Sequence, residues 1–174
     1  IEGPTGLRGD PEIFREFYNF GIRIFGLAWH DSDLACCNKV IDEGREDTGL
    51  TEKGREIIKL GNELGMIFDV SHMSDKSFWD VAPLVKKPII ATHSNFRSVC
   101  DHPRNLTDEQ MKALASKGGV AQVTLYNGFL KEEGKATIQD AIAHLNHMVD
   151  IMGIEHVGIG TDFDGDGGII GCAS

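Results

Sequence analysis

Three histidines and one aspartate follow short apolar segments of the sequence closely, and their side chains are of the types that bind divalent metal ions. They are His30, His72, His93 and Asp162. Neutral imidazole and carboxylate are ligands that zinc prefers, and zinc with an open coordination position lowers the pKa of bound water to about 7. A single histidine after a strand is more often a structural residue, but the recurrence favours a shared metal site for hydrolysis.

The apolar segments alternate with segments of helical periodicity, which predicts parallel strands joined by crossover helices. The predicted strands cover residues 21–29, 66–70, 88–92, 119–125 and 156–160. The predicted helices cover residues 10–20, 51–64, 74–85, 107–116 and 137–152. Because the carboxyl ends of parallel strands form one rim, we expect the polar side chains that follow the strands to converge there.

The composition excludes several classes of protein. The chain has 174 residues, and its 17 Lys and Arg against 27 Asp and Glu give a net charge of −10, which argues against a nucleic-acid partner. No apolar run approaches the roughly 20 residues that cross a bilayer. Four cysteines without metal or redox spacing favour reduced thiols, and hence the cytoplasm, although the compartment stays open.

The predicted elements describe a single α/β domain over residues 1–174. Either an open doubly wound sheet or part of a TIM (β/α)8 barrel fits them. A complete barrel takes about 250 residues, so this chain would supply roughly five or six of its units. Because the sequence opens with Ile-Glu-Gly and closes just after a Gly/Asp cluster, we expect an interior piece of a longer protein.

Three other groups of residues have weaker functional interpretations. Residues 162–167 match the opening of a calcium loop, but Ala173 stands where the loop needs glutamate and the preceding segment reads as a strand. His144 and His147 lie three residues apart on a predicted helix, where an exposed or interhelical structural role is favoured over metal binding. The adjacent cysteines at 36 and 37 are expected to be ordinary loop thiols.

The sequence resembles the membrane (renal) dipeptidases and their bacterial relatives, which are dinuclear zinc peptidases on a TIM barrel of the amidohydrolase type. Four blocks in this order carry the resemblance: Asp-Val-Ser-His at 69–72, Thr-His-Ser at 92–94, His-Pro-Arg-Asn at 102–105 and Asp-Phe-Asp-Gly at 162–165. Further similarity extends over nearly the whole chain. The resemblance implies an incomplete metal-dependent hydrolase barrel that contains about strands three to eight.

The resemblance also implies a set of metal ligands. Glu2 matches the carboxylate that bridges two zinc ions, while His72 and His93 match ligands of one of those ions. A bridging carboxylate can hold two cations about 3.5 Å apart, where both polarise the same peptide carbonyl. The assignment of Glu2 depends on the resemblance alone. The family's His-x-Asp pair, which binds the other zinc ion, does not precede Glu2 in this sequence.

Three further residues match positions that act on the substrate in the family. Asp162 matches the catalytic acid/base, and His30 matches a residue that contacts the substrate and stabilises the oxyanion. Arg104 matches the residue that binds the terminal carboxylate of the substrate, a task that suits the planar guanidinium. Without the resemblance, a surface arginine paired with Asp101 or Asp108 is the alternative for Arg104.

The sequence therefore predicts zinc-dependent hydrolysis of dipeptides by the intact protein, and little or no activity for this piece alone. One alternative is a mononuclear amidohydrolase that acts on cyclic amides or deaminates bases, with Asp162 as a metal ligand. Another is a non-catalytic binding remnant. The loop over residues 31–38 departs from the family's usual asparagine-containing loop. The preferred side chains of the substrate and the oligomeric state, a homodimer included, are left open.

Overall fold

The computed structural model describes residues 1–30 and 32–172. Two residues named above lie outside the described residues: Ala173, at the end of the calcium-loop match, and Asp31, in the loop over residues 31–38. Helices alternate with short parallel strands along the chain, which confirms the predicted α/β class. The chain divides into two compact units, Ile1–Ile90 and Ala91–Ser174. Each unit is described by itself below, and the expectation of a single domain remains a prediction.

All five predicted helices are present, and the described residues contain two additional helices of one turn each. The first unit contains α1 (Pro11–Asn19), α2 (Lys39–Asp42), α3 (Glu52–Leu64) and α4 (Asp75–Val81), and the second contains α5 (Asp108–Ser116), α6 (Asn127–Leu130) and α7 (Ile138–Met152). Short 3-10 helices cover Ile154–His156 and Phe163–Gly165. In the part of the chain that the structure describes, no helix combines the length and apolar character needed to cross a membrane.

Hydroxyl side chains fix where several helices begin. The Thr51 hydroxyl accepts a hydrogen bond from the Gly54 N–H at 3.1 Å, and the Ser74 hydroxyl accepts one from the Ser77 N–H at 3.2 Å. Thr107 forms a reciprocal capping box with Gln110. These bonds satisfy amide donors that have no partner within a helix, so each helix begins one residue after its cap.

The first unit is built around a parallel pair of strands, β1 (Ile24–Gly26) and β2 (Ile67–Asp69), in which Phe25 lies opposite Phe68. Ile90 adds a single parallel bridge to Asp69. On the other side of β1, the main-chain nitrogen of Ile1 donates to the Ile24 carbonyl at 2.8 Å, and the Gly26 N–H donates to the Ile1 carbonyl at 3.0 Å. The start of the chain therefore pairs with β1 in the manner of a neighbouring parallel strand.

The second unit contains the parallel pair β3 (Ala121–Val123) and β4 (Val157–Ile159). Ala91 forms a single parallel bridge to Ala121, so the strand predicted over residues 88–92 is reduced to isolated bridges at Ile90 and Ala91, each within its own unit. The observed strands are shorter than predicted because turns begin early. After β1, for example, the Leu27 carbonyl accepts from the Ser32 hydroxyl at 2.9 Å instead of pairing with a strand.

Aromatic residues fill the core of the first unit. Phe14 of α1 packs edge-to-face on Phe25 of β1, with ring centroids 5.1 Å apart. Helix α3 approaches the strands closely because it carries glycines on its inner face. A Cβ on Gly61 would collide with the Phe68 ring, and one on Gly54 would collide with the Leu34 carbonyl oxygen. The absence of side chains at these two positions therefore sets the distance between α3 and its neighbours.

Replacing Gly54 by alanine should destabilise the protein, although Gly→Ala in an exposed helix normally stabilises by about 1 kcal/mol. The Leu34 carbonyl cannot retreat easily because the Thr51 hydroxyl is bonded to it at 2.9 Å. We expect the free energy of unfolding of the full-length protein to fall by about 1–3 kcal/mol in urea titrations. Glu56→Ala, at an exposed position of the same helix, is the control and should change it by less than about 0.5 kcal/mol. An unchanged or raised unfolding midpoint for Gly54→Ala would contradict this account.

Candidate functional site

Glu2 and His72 lie in direct contact in the first unit. The Glu2 Oε1 atom is 2.7 Å from the His72 Nε2 atom. The Glu2 side chain is 48% exposed and that of His72 is 17% exposed, so the pair lies at the surface of the unit with the imidazole mostly covered. A carboxylate oxygen and an imidazole nitrogen at this separation form a hydrogen bond, and they are also ligand atoms of the kinds that bind one divalent cation.

Backbone pairing brings these two side chains together. Ile1 is bonded to β1, which places Glu2 at the end of that pairing, and His72 follows β2, the strand beside β1. The Asp69 carboxylate accepts from the Ser71 N–H at 3.0 Å and from the Ser71 hydroxyl at 2.7 Å, which closes the turn that leads to His72. Asp69 and Ser71 belong to the Asp-Val-Ser-His block, but the sequence analysis assigned them no role.

His30, at the end of the segment that follows β1, lies beside an aromatic side chain that also reaches His72. The Trp29 ring centroid is 4.1 Å from that of His30 and 6.5 Å from that of His72. Gly3 has φ +71°, and a Cβ there would lie 2.8 Å from the Trp29 Cβ, so only glycine allows the chain to pass this closely. The structure thus places His30 and His72 beside Trp29, a residue that sequence reasoning did not single out, and Glu2 contacts His72.

In the second unit, His93 is buried and follows the bridge at Ala91. Its Nδ1 atom lies 2.8 Å from the Thr92 hydroxyl, which orients the ring. The end of β4 packs against this segment, because a Cβ on Gly160 would collide with the Thr92 carbonyl oxygen. Asp162 comes two residues after Gly160. The carboxyl ends of the two segments that carry His93 and Asp162 are therefore neighbours, as the sequence predicts.

Asp162 has an unusual backbone conformation for a non-glycine residue, with φ +59° and ψ 36°. Its carbonyl oxygen accepts from the Gly165 N–H at 3.0 Å and from the Gly167 N–H at 2.8 Å. A Cβ on Gly165 would lie 2.5 Å from the Asp162 carboxylate, so the glycines permit the tight turn. Left-handed backbone at such a residue costs of order 1–3 kcal/mol, and here the turn maintains it. As the sequence predicts, a strand and not a helix precedes this loop, which argues against a calcium loop.

The alternative of Arg104 as a surface arginine paired with Asp101 or Asp108 is wrong, because Arg104 is buried, with 5% of its surface exposed. Its Nη1 atom donates to the Ser94 hydroxyl at 3.3 Å, and its guanidinium carbon lies 5.4 Å from the centre of the Phe129 ring. Asp108 instead accepts a hydrogen bond from Ser98. The Arg104 N–H also donates to the Nδ1 atom of His102 at 3.1 Å in the short turn that precedes the side chain.

Two buried asparagines hold Phe129 in place. The Asn105 side-chain amide donates to the Phe129 carbonyl at 2.8 Å and to the Cys100 carbonyl at 2.9 Å. The Asn95 amide donates to the Phe129 carbonyl at 3.3 Å and to the Thr124 carbonyl at 3.1 Å. Sequence reasoning missed this support for Arg104, because side chains so far apart along the chain give no local signal of it.

The helical histidines of α7 have structural roles, which confirms the interhelical interpretation. His144 is fully buried, its Nδ1 atom accepts from the Phe96 N–H at 3.1 Å, and its Nε2 atom lies 3.2 Å from the Leu130 carbonyl oxygen. His147 lies 3.2 Å from the carboxylate of Asp108, the first residue of α5. The four cysteines form no disulfide within the described part of the chain.

Comparison with known proteins identifies the family to which these residues belong. The model of the family described as "Membrane dipeptidase (Peptidase family M19)" matches residues 1–172. The chain belongs to the membrane dipeptidase family. The predicted resemblance is thereby confirmed, and the blocks that carried it lie within the matched range.

Two curated proteins are similar to this chain over most of its length, and one of them is named as a dipeptidase. An uncharacterized protein from the pqqA 5′ region of Klebsiella pneumoniae is 39% identical over 172 residues, which cover 95% of this chain and 64% of that protein. An uncharacterized dipeptidase of Schizosaccharomyces pombe is 38% identical over 168 residues, covering 95% of this chain and 40% of that protein. The chain thus spans less than two thirds of the length of either relative.

A solved structure shows the same fold over most of the chain. It is that of a metallo peptidase from Rhodobacter sphaeroides liganded with a phosphinate mimic of the dipeptide L-Ala-D-Ala. The TM-score is 0.81 at 31% identity, and the match covers 90% of this chain and 47% of the other. The α/β architecture of this membrane dipeptidase family member therefore agrees with that of a solved metallopeptidase.

The burial of His144 makes stability depend on pH. Burial holds the pKa of His144 below its ordinary value of 6.5, so the folded protein keeps this ring neutral while the unfolded chain binds a proton below pH 6.5. The free energy of unfolding should therefore decrease as the pH falls below about 6.5. In urea titrations of the full-length protein between pH 7.5 and 5.5, His144→Gln should show a smaller decrease than the wild type. Met148→Leu, a buried change on the same helix, should keep the wild-type dependence. Equal slopes for all three would refute the assignment.

Proposed function

We propose that the protein hydrolyses dipeptides with the help of bound zinc, for which Glu2, His72 and His93 are ligands. The contact between the Glu2 carboxylate and the His72 imidazole is the observation that carries the proposal, because it joins two zinc-ligand types in a chain that belongs to a dipeptidase family. The dipeptide mimic bound by the similar Rhodobacter sphaeroides peptidase supports dipeptides as the substrate class.

The donor set of the chain suits two zinc ions. We assign Glu2 as the carboxylate that bridges them, and His72 and His93 as ligands of one ion. The Thr92 hydroxyl, bonded to the His93 Nδ1 atom, would fix the orientation of this imidazole as a ligand. When bound, the metal pair acidifies water and polarises the peptide carbonyl.

Asp162 acts as the general base and then as the general acid. Its carboxylate takes a proton from the attacking water and passes that proton to the nitrogen of the leaving amine. The tight glycine turn holds the Asp162 main chain in one conformation, so the carboxylate needs little reorganisation during the reaction. His30 donates a hydrogen bond to the substrate carbonyl oxygen as negative charge develops on it.

Arg104 binds the terminal carboxylate of the dipeptide. Its guanidinium is buried and packs near the Phe129 ring, so a carboxylate bound there meets a cation that is largely removed from water. Removal from water strengthens the attraction between the two charges, and the planar guanidinium can donate two parallel hydrogen bonds. This interaction favours short peptides whose carboxyl terminus lies next to the scissile bond.

Family membership favours the dipeptidase over the two alternatives, a mononuclear amidohydrolase and a non-catalytic binding remnant. We further propose that the protein adopts a (β/α)8 barrel in which this chain supplies about strands three to eight. The cytoplasmic location remains a prediction, and the oligomeric state, a homodimer included, stays open.

Removing the metal ligands should abolish zinc binding and activity together. In the full-length protein, His72→Ala and His93→Ala should each lower the zinc content measured by metal analysis and reduce kcat/KM for Ala-Ala by more than about 100-fold. Dialysis against a chelator should inactivate the wild type, and added zinc should restore its activity. His156→Ala is the matched control, because that ring bonds the Gly119 carbonyl before β4 begins. Normal zinc content and activity in both ligand variants would refute the assignment.

The role of Arg104 can be tested with a substrate that lacks the terminal carboxylate. Arg104→Met should reduce kcat/KM for Ala-Ala by about 100-fold, mainly through KM, because a buried charge-assisted pair is lost. For the same dipeptide as its C-terminal amide, the wild type should already be slow and the variant hardly slower. If the variant loses equal activity on both substrates, Arg104 does not bind the carboxylate.

A further inference from the structure

A cavity of about 370 Å³ lies beside His30 in the first unit, and the proposed function leaves it unassigned. Its lining includes the aromatic residues Trp29 and His30 and the charged residues Lys39, Glu43 and Arg45. The volume falls within the range of roughly 300–1,000 Å³ that is typical of small-molecule sites. Because His30 is assigned to contact the substrate, a dipeptide held by this residue would extend part of its structure into the cavity.

The charged residues of the lining are unequally paired. Arg45 Nε lies 2.8 Å from Glu43 Oε2, a hydrogen-bonded ion pair, whereas Lys39 Nζ lies 3.8 Å from Glu43 Oε1, beyond hydrogen-bond length. Among the described residues of the lining, two cations and one carboxylate give a formal charge of +1, although the chain as a whole carries −10. The half-exposed ammonium of Lys39 is therefore the group best placed to receive a further carboxylate.

Backbone hydrogen bonds join the segment that leads to Lys39 to the segment that carries His72. Asn38, which immediately precedes Lys39, donates its N–H to the His72 carbonyl at 3.0 Å. Cys37 forms a bridge with Met73, and the Cys36 carbonyl accepts from the Ser77 hydroxyl at 2.8 Å. The main chain next to Lys39 is thus bonded to the main chain of His72, a proposed metal ligand.

We propose that this cavity is a side-chain subsite of the dipeptidase and that Lys39 makes it selective for dipeptides with an acidic side chain. The proposal rests on the proposed function and names the substrate class of that same site. The ammonium of Lys39 pairs with the side-chain carboxylate of aspartate or glutamate, while Trp29 covers its methylene groups.

Isosteric substrates that differ only in charge provide the test. The full-length zinc-loaded protein is assayed with Glu-Ala against Gln-Ala and with Ala-Glu against Ala-Gln, and Ala-Ala serves as the neutral reference. At one of the two positions, the wild type should prefer the glutamate substrate by about three- to tenfold in kcat/KM, as expected for a partly exposed charge pair. The preference should shrink in 0.5 M salt, because salt screens exposed charges.

Substitutions at Lys39 separate selectivity from catalysis. Lys39→Met should abolish the preference and Lys39→Glu should reverse it, as measured by the ratio of kcat/KM within each substrate pair. Lys59→Glu makes the same change of charge on an exposed residue of α3 that does not line this cavity, and it should keep the preference. Equal rates on both members of both substrate pairs, or a preference that survives in Lys39→Met and Lys39→Glu, would overturn the proposal. Activity on Ala-Ala in that case would leave the dipeptidase function standing.

Discussion

The parallel pairing of the residues around β1 is the constraint on which the candidate site of the first unit depends. Main-chain bonds join Ile1 to β1, and β1 pairs in register with β2, so Glu2 and His72 emerge at the same end of neighbouring segments. A lone exposed ion pair contributes only about 0–1 kcal/mol and could not hold two ligands in place by itself. The backbone therefore sets the 2.7 Å contact, and the side chains use a position that the sheet already provides.

The proposed functional residues of the second unit are each held by neighbours that do no chemistry themselves. Thr92 orients the His93 ring, two glycines allow the turn at Asp162, and Phe129 packs near Arg104. Such supporting contacts reduce the number of conformations that a functional side chain samples before it binds anything. A substitution among the supporting residues can therefore lower activity although the functional residues themselves are intact.

The sequence predicts the helices better than the strands, for local physical reasons. Caps such as Thr51 and Ser74 lie next to the residues that they bond, so they reveal where a helix begins. A strand needs a partner that is distant in the chain, and the sequence of the strand itself does not show how many residues will pair. The apolar run over residues 88–92 is therefore predicted as a strand, although it forms only isolated bridges. The one-turn helices α2 and α6 have too few residues for a periodic pattern. The burial of Arg104 could not be foreseen either, because it depends on Phe129, 25 positions further on.

The main-chain bond that holds Asn38 allows the side chains of the following residues to change while the proposed metal ligand His72 stays in place. The bond between the Asn38 N–H and the His72 carbonyl joins two main chains, and any residue except proline at position 38 can donate it. The side chains at 39, 43 and 45 are exposed and take no part in that bond. Their charges can therefore be altered without moving the backbone of His72, so the same scaffold that positions a proposed metal ligand can present different side chains to the substrate.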